Sequence, residues 1–248
     1  MNRRAQAALI GAVLLLAAAS VQAAKKPKTV DTFWTYPDYA KIKVERIAVI
    51  PAASYDNNIQ TETTVEQGLG MQLKGEKYRW VSAGTTRDLL RSMTGSDSLL
   101  KAVKAQILKE PRVDSLTAQR LCAMFHCDAL LSMRVDQWEQ QTIEWNQSGT
   151  PSTTIQLKAA LVDAQGRLLW TASGSQSSQG PYYDANAATL GVKDSGLERK
   201  PITGQGGPPT FLETLTTLLT RWAPAFPAPP EKSPSTGSEA PPDSGAGK

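Results

Sequence analysis

The chain has 248 residues, of which 40% are hydrophobic, with 27 basic and 23 acidic side chains. This is enough chain for one core of ordinary size. The basic residues are scattered rather than gathered in a stripe, which excludes a phosphate-tracking nucleic-acid binder.

Arg3 and Arg4 precede an apolar run from Ala7 to Ala19, interrupted only by Gly11. Val21 and Ala23 then stand at the −3 and −1 positions of a cleavage site. This is the three-part layout of a secretory signal, and residues 1–23 are read as a signal peptide. The run is shorter than the ~20 apolar residues of a spanning helix, so no membrane-spanning segment is expected after cleavage. No cysteine lies near the site to take a lipid. The expected location is periplasmic. Without the two leader arginines the balance is 25 basic to 23 acidic, close to neutral.

Residues 24–45 read as an extended segment whose exposed-looking aromatics, Phe33, Trp34 and Tyr36, either pack on the domain that follows or form a contact surface, with packing the favoured reading. Arg46–Pro51 is a short strand, buried on both faces because apolar residues occupy both parities. Val65, Leu69 and Leu73 predict a helix over 61–74, in which Gly68 and Gly70 lower propensity but allow close approach to a sheet. A strand over 78–82 follows. Thr85 is the expected cap of the next helix, with Leu89, Leu90 and Met93 on one side. Residues 99–109 form another helix, ended before Pro111.

Asp114 opens a helix whose apolar stripe is Ala118, Leu121, Cys122 and Phe125. It runs into a strand from Cys127 to Val135, with Ala129, Leu131, Met133 and Val135 on one face. Trp138 breaks that parity and predicts a bulge near Asp136. Residues 153–162 and 167–175 alternate around Asp163-Ala164-Gln165-Gly166, which predicts an antiparallel hairpin with Asp163 as a turn residue. Leu168, Trp170 and Ala172 should share a face of the returning strand. Residues 180–209 hold either a short helix at 185–192 or a functional segment. Phe211, Leu212, Leu215, Leu218, Leu219 and Trp222 make a strongly amphipathic closing helix on a sheet face. Residues 224–248, rich in Pro, Ser, Gly and Ala, read as a disordered tail.

The order of elements implies an α/β (α+β) fold with a single domain over 46–223. Its mixed β-sheet has a C-terminal antiparallel hairpin and is covered by helices.

The chemistry-bearing residues are few. His126 is the one histidine; at a helix end it serves as a structural or capping group. Cys122 and Cys127 are the only cysteines and fall short of the four ligands of a closed zinc site. They are either a disulfide or two reduced buried thiols, and a helix ending at His126 would bring the sulfurs within range. Walker and Gly-x-Ser-x-Gly motifs are absent. Asp128 and Asp136, ~27 Å apart along an extended strand, make no carboxylate pair. No cofactor or metal is expected, and the chain is read as not an enzyme. Trp138, Trp145, Tyr182 and Tyr183 are candidates for a partner surface, with edge packing as the competing reading.

Two stretches carry a resemblance. One is Phe125-His126-Cys127-Asp128-Ala129-Leu130-Leu131; the other runs from Leu157 through Leu161-Val162-Asp163 and Gly166 to Leu168-Leu169-Trp170. They resemble a family of uncharacterised bacterial lipoproteins whose members read Phe-Gly-Ala-Asp-Ala-Val-Leu and Leu-Val-Asp…Gly…Leu-Trp. Arg46–Pro51 is similar to the family's opening strand. More distantly the layout resembles CsgG-like secretion proteins, LpoB-like activators and the N-terminal domain of TolB. The family's Gly-Ala is His126-Cys127 here, and its lipidated N-terminal cysteine is missing.

The resemblance and the lack of a reactive constellation imply a non-enzymatic periplasmic accessory protein. It would bind an envelope protein in secretion, envelope assembly or cell-wall synthesis, with a CsgG-like or cell-wall-synthesis complex as the concrete partner and homo-oligomerisation left open. The alternatives are an envelope hydrolase using His126 and a small-molecule or glycan carrier.

Overall fold

The computed structural model describes residues 31–73, 78–94, 97–144, 147–183 and 207–228. The signal peptide, the segment 185–192 and all but the first residues of the predicted tail lie outside these residues.

The strands are β1 (Thr32–Thr35), β2 (Arg46–Val49), β3 (Ala53–Ser54), β4 (Arg79–Val81), β5 (Ala129–Gln141), β6 (Ser152–Asp163) and β7 (Leu168–Gln179). The helices are α1 (Ile59–Gln72), α2 (Ala83–Thr94), α3 (Ser98–Lys109), α4 (Ser115–Phe125) and α5 (Phe211–Trp222). The seven strands form one mixed sheet in the order β1-β7-β6-β5-β2-β4, with β3 also paired to β5. Pairs β2–β4, β2–β5 and β3–β5 are parallel; β5–β6, β6–β7 and β7–β1 are antiparallel. The expected mixed α/β sheet with its C-terminal hairpin is therefore present.

Helices cover the two faces unequally. On one face α1 and α5 bury Val65, Leu69, Leu215, Leu218, Leu219 and Trp222 against Leu131, Met133, Leu157 and Trp170. On the other, α2, α3 and α4 bury Leu90, Val103, Ile107, Leu121 and Phe125 against Ala48, Ile50, Leu130 and Val162. The burial of β5 shows where the second cover ends: its first five residues are buried at both parities, and its last three are exposed. Strand β6 runs the other way, alternating at its start and continuously buried over its last five residues.

Local chemistry explains the element ends. Asp114 caps α4 by accepting from the Thr117 N–H at 2.8 Å. Thr210 and Glu213 form a reciprocal capping box on α5. Asp163 Oδ1 accepts from the Gln165 and Arg167 N–H groups at 2.9 and 2.8 Å, which holds the β6–β7 turn; Gly166 completes it at φ 78°. The bulge falls where the register of β5 shifts, between Val135 and Gln137.

Several expectations are corrected. Helix α2 starts two residues before Thr85, because the Ser82 hydroxyl accepts from the Thr85 N–H at 3.2 Å. Gly68 allows close approach to helix α5, not to a sheet: a Cβ there would lie 2.6 Å from Leu215 Cδ2. Strand β7 carries a second bulge, since Leu161 pairs with Trp170 and Val162 with Leu168. Leu169 therefore joins Trp170 in the core, while Leu168 is only half-buried.

Packing also extends past residue 223. Phe226 stacks edge-on against Trp170 at 5.0 Å and against Tyr78 at 6.0 Å. Tyr78 donates to the Pro227 carbonyl at 2.8 Å and shares a 2.8 Å hydroxyl contact with Tyr39. Burial raises both phenols above the ordinary tyrosine range.

Candidate recognition surface

Beyond the reach of α3 and α4, strands β5, β6 and β7 continue as a three-stranded extension. Its limit is marked by Arg134. This guanidinium donates to the carbonyls of Leu108 and Lys109 at the end of α3, at 3.1 and 3.4 Å. It also grips Asp136 through Nε at 2.6 Å, and Lys158 approaches the same carboxylate at 3.3 Å. Past this point the face that α2, α3 and α4 leave uncovered is polar. Gln137 and Glu139 come from β5, Thr154 and Gln156 from β6, and Ser175 and Ser177 from β7. The Thr154 and Ser177 hydroxyls meet at 3.1 Å and Gln137 donates to Glu139 at 2.9 Å. Such alternation is what one-sided burial requires of an antiparallel sheet.

The extension also has open edges. Strand β1 pairs only with Trp170–Ser173, so among the described residues Gly174–Gln179 of β7 has a strand partner, β6, on one side only. The Tyr36 N–H donates to the Leu169 carbonyl at 2.8 Å, and antiparallel alternation then turns the backbone groups of Ser175, Ser177 and Gln179 outward. The Ser175 carbonyl is occupied by Arg221 Nη2 at 2.9 Å. On the opposite side, β3 pairs only with Arg134 and Val135 of β5. A cavity of about 180 Å³ opens there, lined by Ser54, Tyr55, Asp56, Asp136, Gln137 and Trp138 among others. Asn57, beside it, holds a left-handed φ of 50°. A larger cavity of about 350 Å³ lies at the α3–α4 junction, between Lys109, Arg112 and Gly166.

The nominated aromatics separate. Trp138 stacks on Phe211 at 4.6 Å with planes 10° apart, which fixes the extension to the start of α5. Trp145 lies outside the described residues. Tyr182 is 67% exposed, just past β7, while Tyr183 forms an isolated antiparallel bridge with Gly149. Two exposed aromatics belong to the edge strand itself: Phe33 and Trp34, 40% and 43% exposed and on opposite faces of β1. The sequence reading finds these rings exposed-looking but favours packing on the domain, whereas in the structure Phe33 and Trp34 are exposed.

His126 is exposed and left-handed (φ 49°, ψ 51°) at the end of α4, donating its N–H to the Cys122 carbonyl. Cys122 and Cys127 are both buried. Interaction with the Cys127 sulfur, and then burial, pushes the Cys122 thiol up, and the same interaction draws Cys127 down. Asp128 accepts from the Glu45 and Arg46 N–H groups at 2.9 Å and so anchors the start of β2. Among the described residues no cluster of His, Cys, Asp and Glu is arranged to hold a metal, and no helix is long and apolar enough to cross a membrane.

No protein-family model and no curated protein matches this chain. Among solved structures it is similar to lipoprotein GNA1162 from Neisseria meningitidis, at 17% identity and a TM-score of 0.40, over 59% of this chain and 91% of that one. It is also similar to PelC, a dodecamer from Paraburkholderia phytofirmans, at 16% identity and a TM-score of 0.38, over 80% of this chain and 98% of that one. A third is the hypothetical protein CT253 from Chlamydia trachomatis, at 13% identity and a TM-score of 0.30, over 54% and 72%.

Proposed function

We propose that the protein is a non-enzymatic accessory component of the bacterial periplasm that binds an envelope protein through the open end of its sheet. The observation that carries the reading is the edge of β7 from Gly174 to Gln179, paired to β6 on one side and, among the described residues, to no strand on the other, beside a polar face. An extended segment of a partner can add there as a further strand, with backbone hydrogen bonds giving affinity. The small side chains of Ser175, Ser177 and Ser178 let a backbone approach closely. The export-type leader and the resemblance of the Phe125–Leu131 and Leu157–Trp170 stretches to envelope lipoproteins support the compartment and the class of partner, a CsgG-like or cell-wall-synthesis complex. His126 has a structural task as a helix terminus, which accounts for it without catalysis.

The experiment is site-specific photo-crosslinking in the native host, with the photoreactive residue at Ser177 and, as control, at Lys101 on the exposed side of α3. Capture of one secretion or cell-wall-synthesis protein from Ser177 but not from Lys101 is the expected result. Equal capture from both positions, or none from either, would overturn the edge as the binding surface.

A further inference from the structure

Helix α4 ends in a way that places two sulfurs together. The Cys122 carbonyl accepts from the His126 N–H and from the Cys127 N–H, the latter at 3.0 Å. The second bond spans six residues, as in a Schellman cap, with His126 supplying the left-handed residue. In such caps the side chains of the first and last of those six residues touch. Here both are cysteines, 3% and 8% exposed, and each sulfur shifts the titration of the other.

We infer that Cys122 and Cys127 form an intramolecular disulfide that staples the end of α4 to the start of β5. The inference rests on the proposed export only for its setting, since an oxidising compartment supplies the disulfide reagent. The thiolate of one cysteine attacks one sulfur of an oxidant disulfide, breaking its S–S bond and releasing one thiolate. The thiolate of the other cysteine then attacks the first cysteine's sulfur in the mixed disulfide and releases the second. Two electrons pass to the oxidant, and the protons of the two cysteines end on the released thiols. Because both cysteines are buried, the exchange belongs to folding, before the helices close over β5 and β6. The ring it closes is short, and it locks the left-handed turn that a non-glycine residue otherwise holds only through its neighbours.

The test uses the mature chain refolded in a glutathione–glutathione disulfide mixture, then denatured and treated with an alkylating reagent. The expected product takes no label, is about 2 Da lighter than the reduced chain, and runs as a monomer without reductant. Its melting temperature should exceed that of the reduced chain by ~5 °C, a difference that the Cys122→Ala/Cys127→Ala variant abolishes. Native, fully alkylatable protein, or bridges found only between chains, would overturn the inference. The mass measurement needs no variant to fold. Refolding in vitro also keeps the outcome separate from whether the protein is exported and what it binds.

Discussion

Arg221 on α5 grips both carboxylate oxygens of Asp31, through Nε at 2.7 Å and Nη2 at 3.0 Å. The two residues lie 190 positions apart, and the bond fixes the N-terminal strand at the edge of the sheet. The same guanidinium occupies the Ser175 carbonyl and bonds the Gln176 side chain, so one residue sets where β1 stops and the open edge begins. A forked arginine–carboxylate pair is directional as well as strong. Asp31 is well buried and Arg221 partly exposed, at 12% and 31% of their side-chain surfaces. Asp31→Ala should therefore cost about 1–2 kcal/mol. A double-mutant cycle with Arg221→Ala measures the coupling, and hydrogen exchange at Phe33–Thr35 should rise by more than exchange in β5. Equal acceleration in both strands would mean that the pair supports the whole domain and not the edge.

Gly68 and Gly70 offer a controlled comparison two residues apart on α1. A Cβ at 68 would meet Leu215 Cδ2 at 2.6 Å and Leu219 Cδ1 at 3.3 Å, whereas one at 70 meets nothing within 4 Å. Gly70→Ala should stabilise by roughly 0.5–1 kcal/mol through helix propensity. Gly68→Ala gains the same propensity but forces α1 and α5 apart, and should destabilise by ~1–3 kcal/mol net. Urea denaturation of the two variants gives opposite signs if the helices meet at Gly68.

Glu62 lies in the first turn of α1, 3% exposed. It binds the Lys104 ammonium of α3 and approaches Arg87 of α2 at 3.5 Å. One buried carboxylate thus joins three helices. Removing it leaves two cations, each about 15% exposed, without their counter-charge. Glu62→Gln should cost ~3 kcal/mol, and adding Lys104→Met should recover part of that loss. Chemical denaturation of the single and double variants checks it; no recovery would mean that the carboxylate matters only through its packing.

What the sequence showed and what it hid follow one physical line. Alternation over 153–162 and 167–175 is a direct record of one-sided burial, so the hairpin, its Asp163 turn and the bulge at Asp136 were all legible. The closing helix was legible for the same reason: its stripe has a single period and Pro209 precedes it. The start of α2 was not, because Ser82 and Thr85 are equally good caps and only the fold selects one. The bulge at Leu169 was hidden because Leu168 and Leu169 are both apolar and either could face the core. The Arg221–Asp31 clamp and the open edge of β7 depend on partners more than 130 residues away, and no local pattern encodes those.

His126 occupies a position that the resembled family fills with glycine, and the structure supplies the reason: φ there is 49°. A side chain in the left-handed region costs about 1 kcal/mol, and glycine does not. His126→Gly should stabilise the domain by ~0.5–1 kcal/mol, part of the gain being returned to the greater freedom of the unfolded chain. Thermal unfolding tests the sign. A loss of stability would show that the imidazole makes a contact worth more than the strain.

Asp114 ties α4 to pH. Its carboxylate accepts from the Thr117 N–H, and this bond, the largest cause, holds its pKa below the ordinary aspartate value. A depressed carboxylate contributes stability that is complete above its unfolded pKa of about 3.9 and is lost as pH falls through the lower folded value. Asp114→Ala should therefore cost about 1 kcal/mol at neutral pH, the ordinary worth of an N-cap. The difference from wild type should shrink steadily below about pH 4. Paired urea titrations at pH 7 and near pH 3 decide it. A gap that stays constant across that range would mean that the Thr117 bond survives protonation, with the neutral acid serving as an equally good cap.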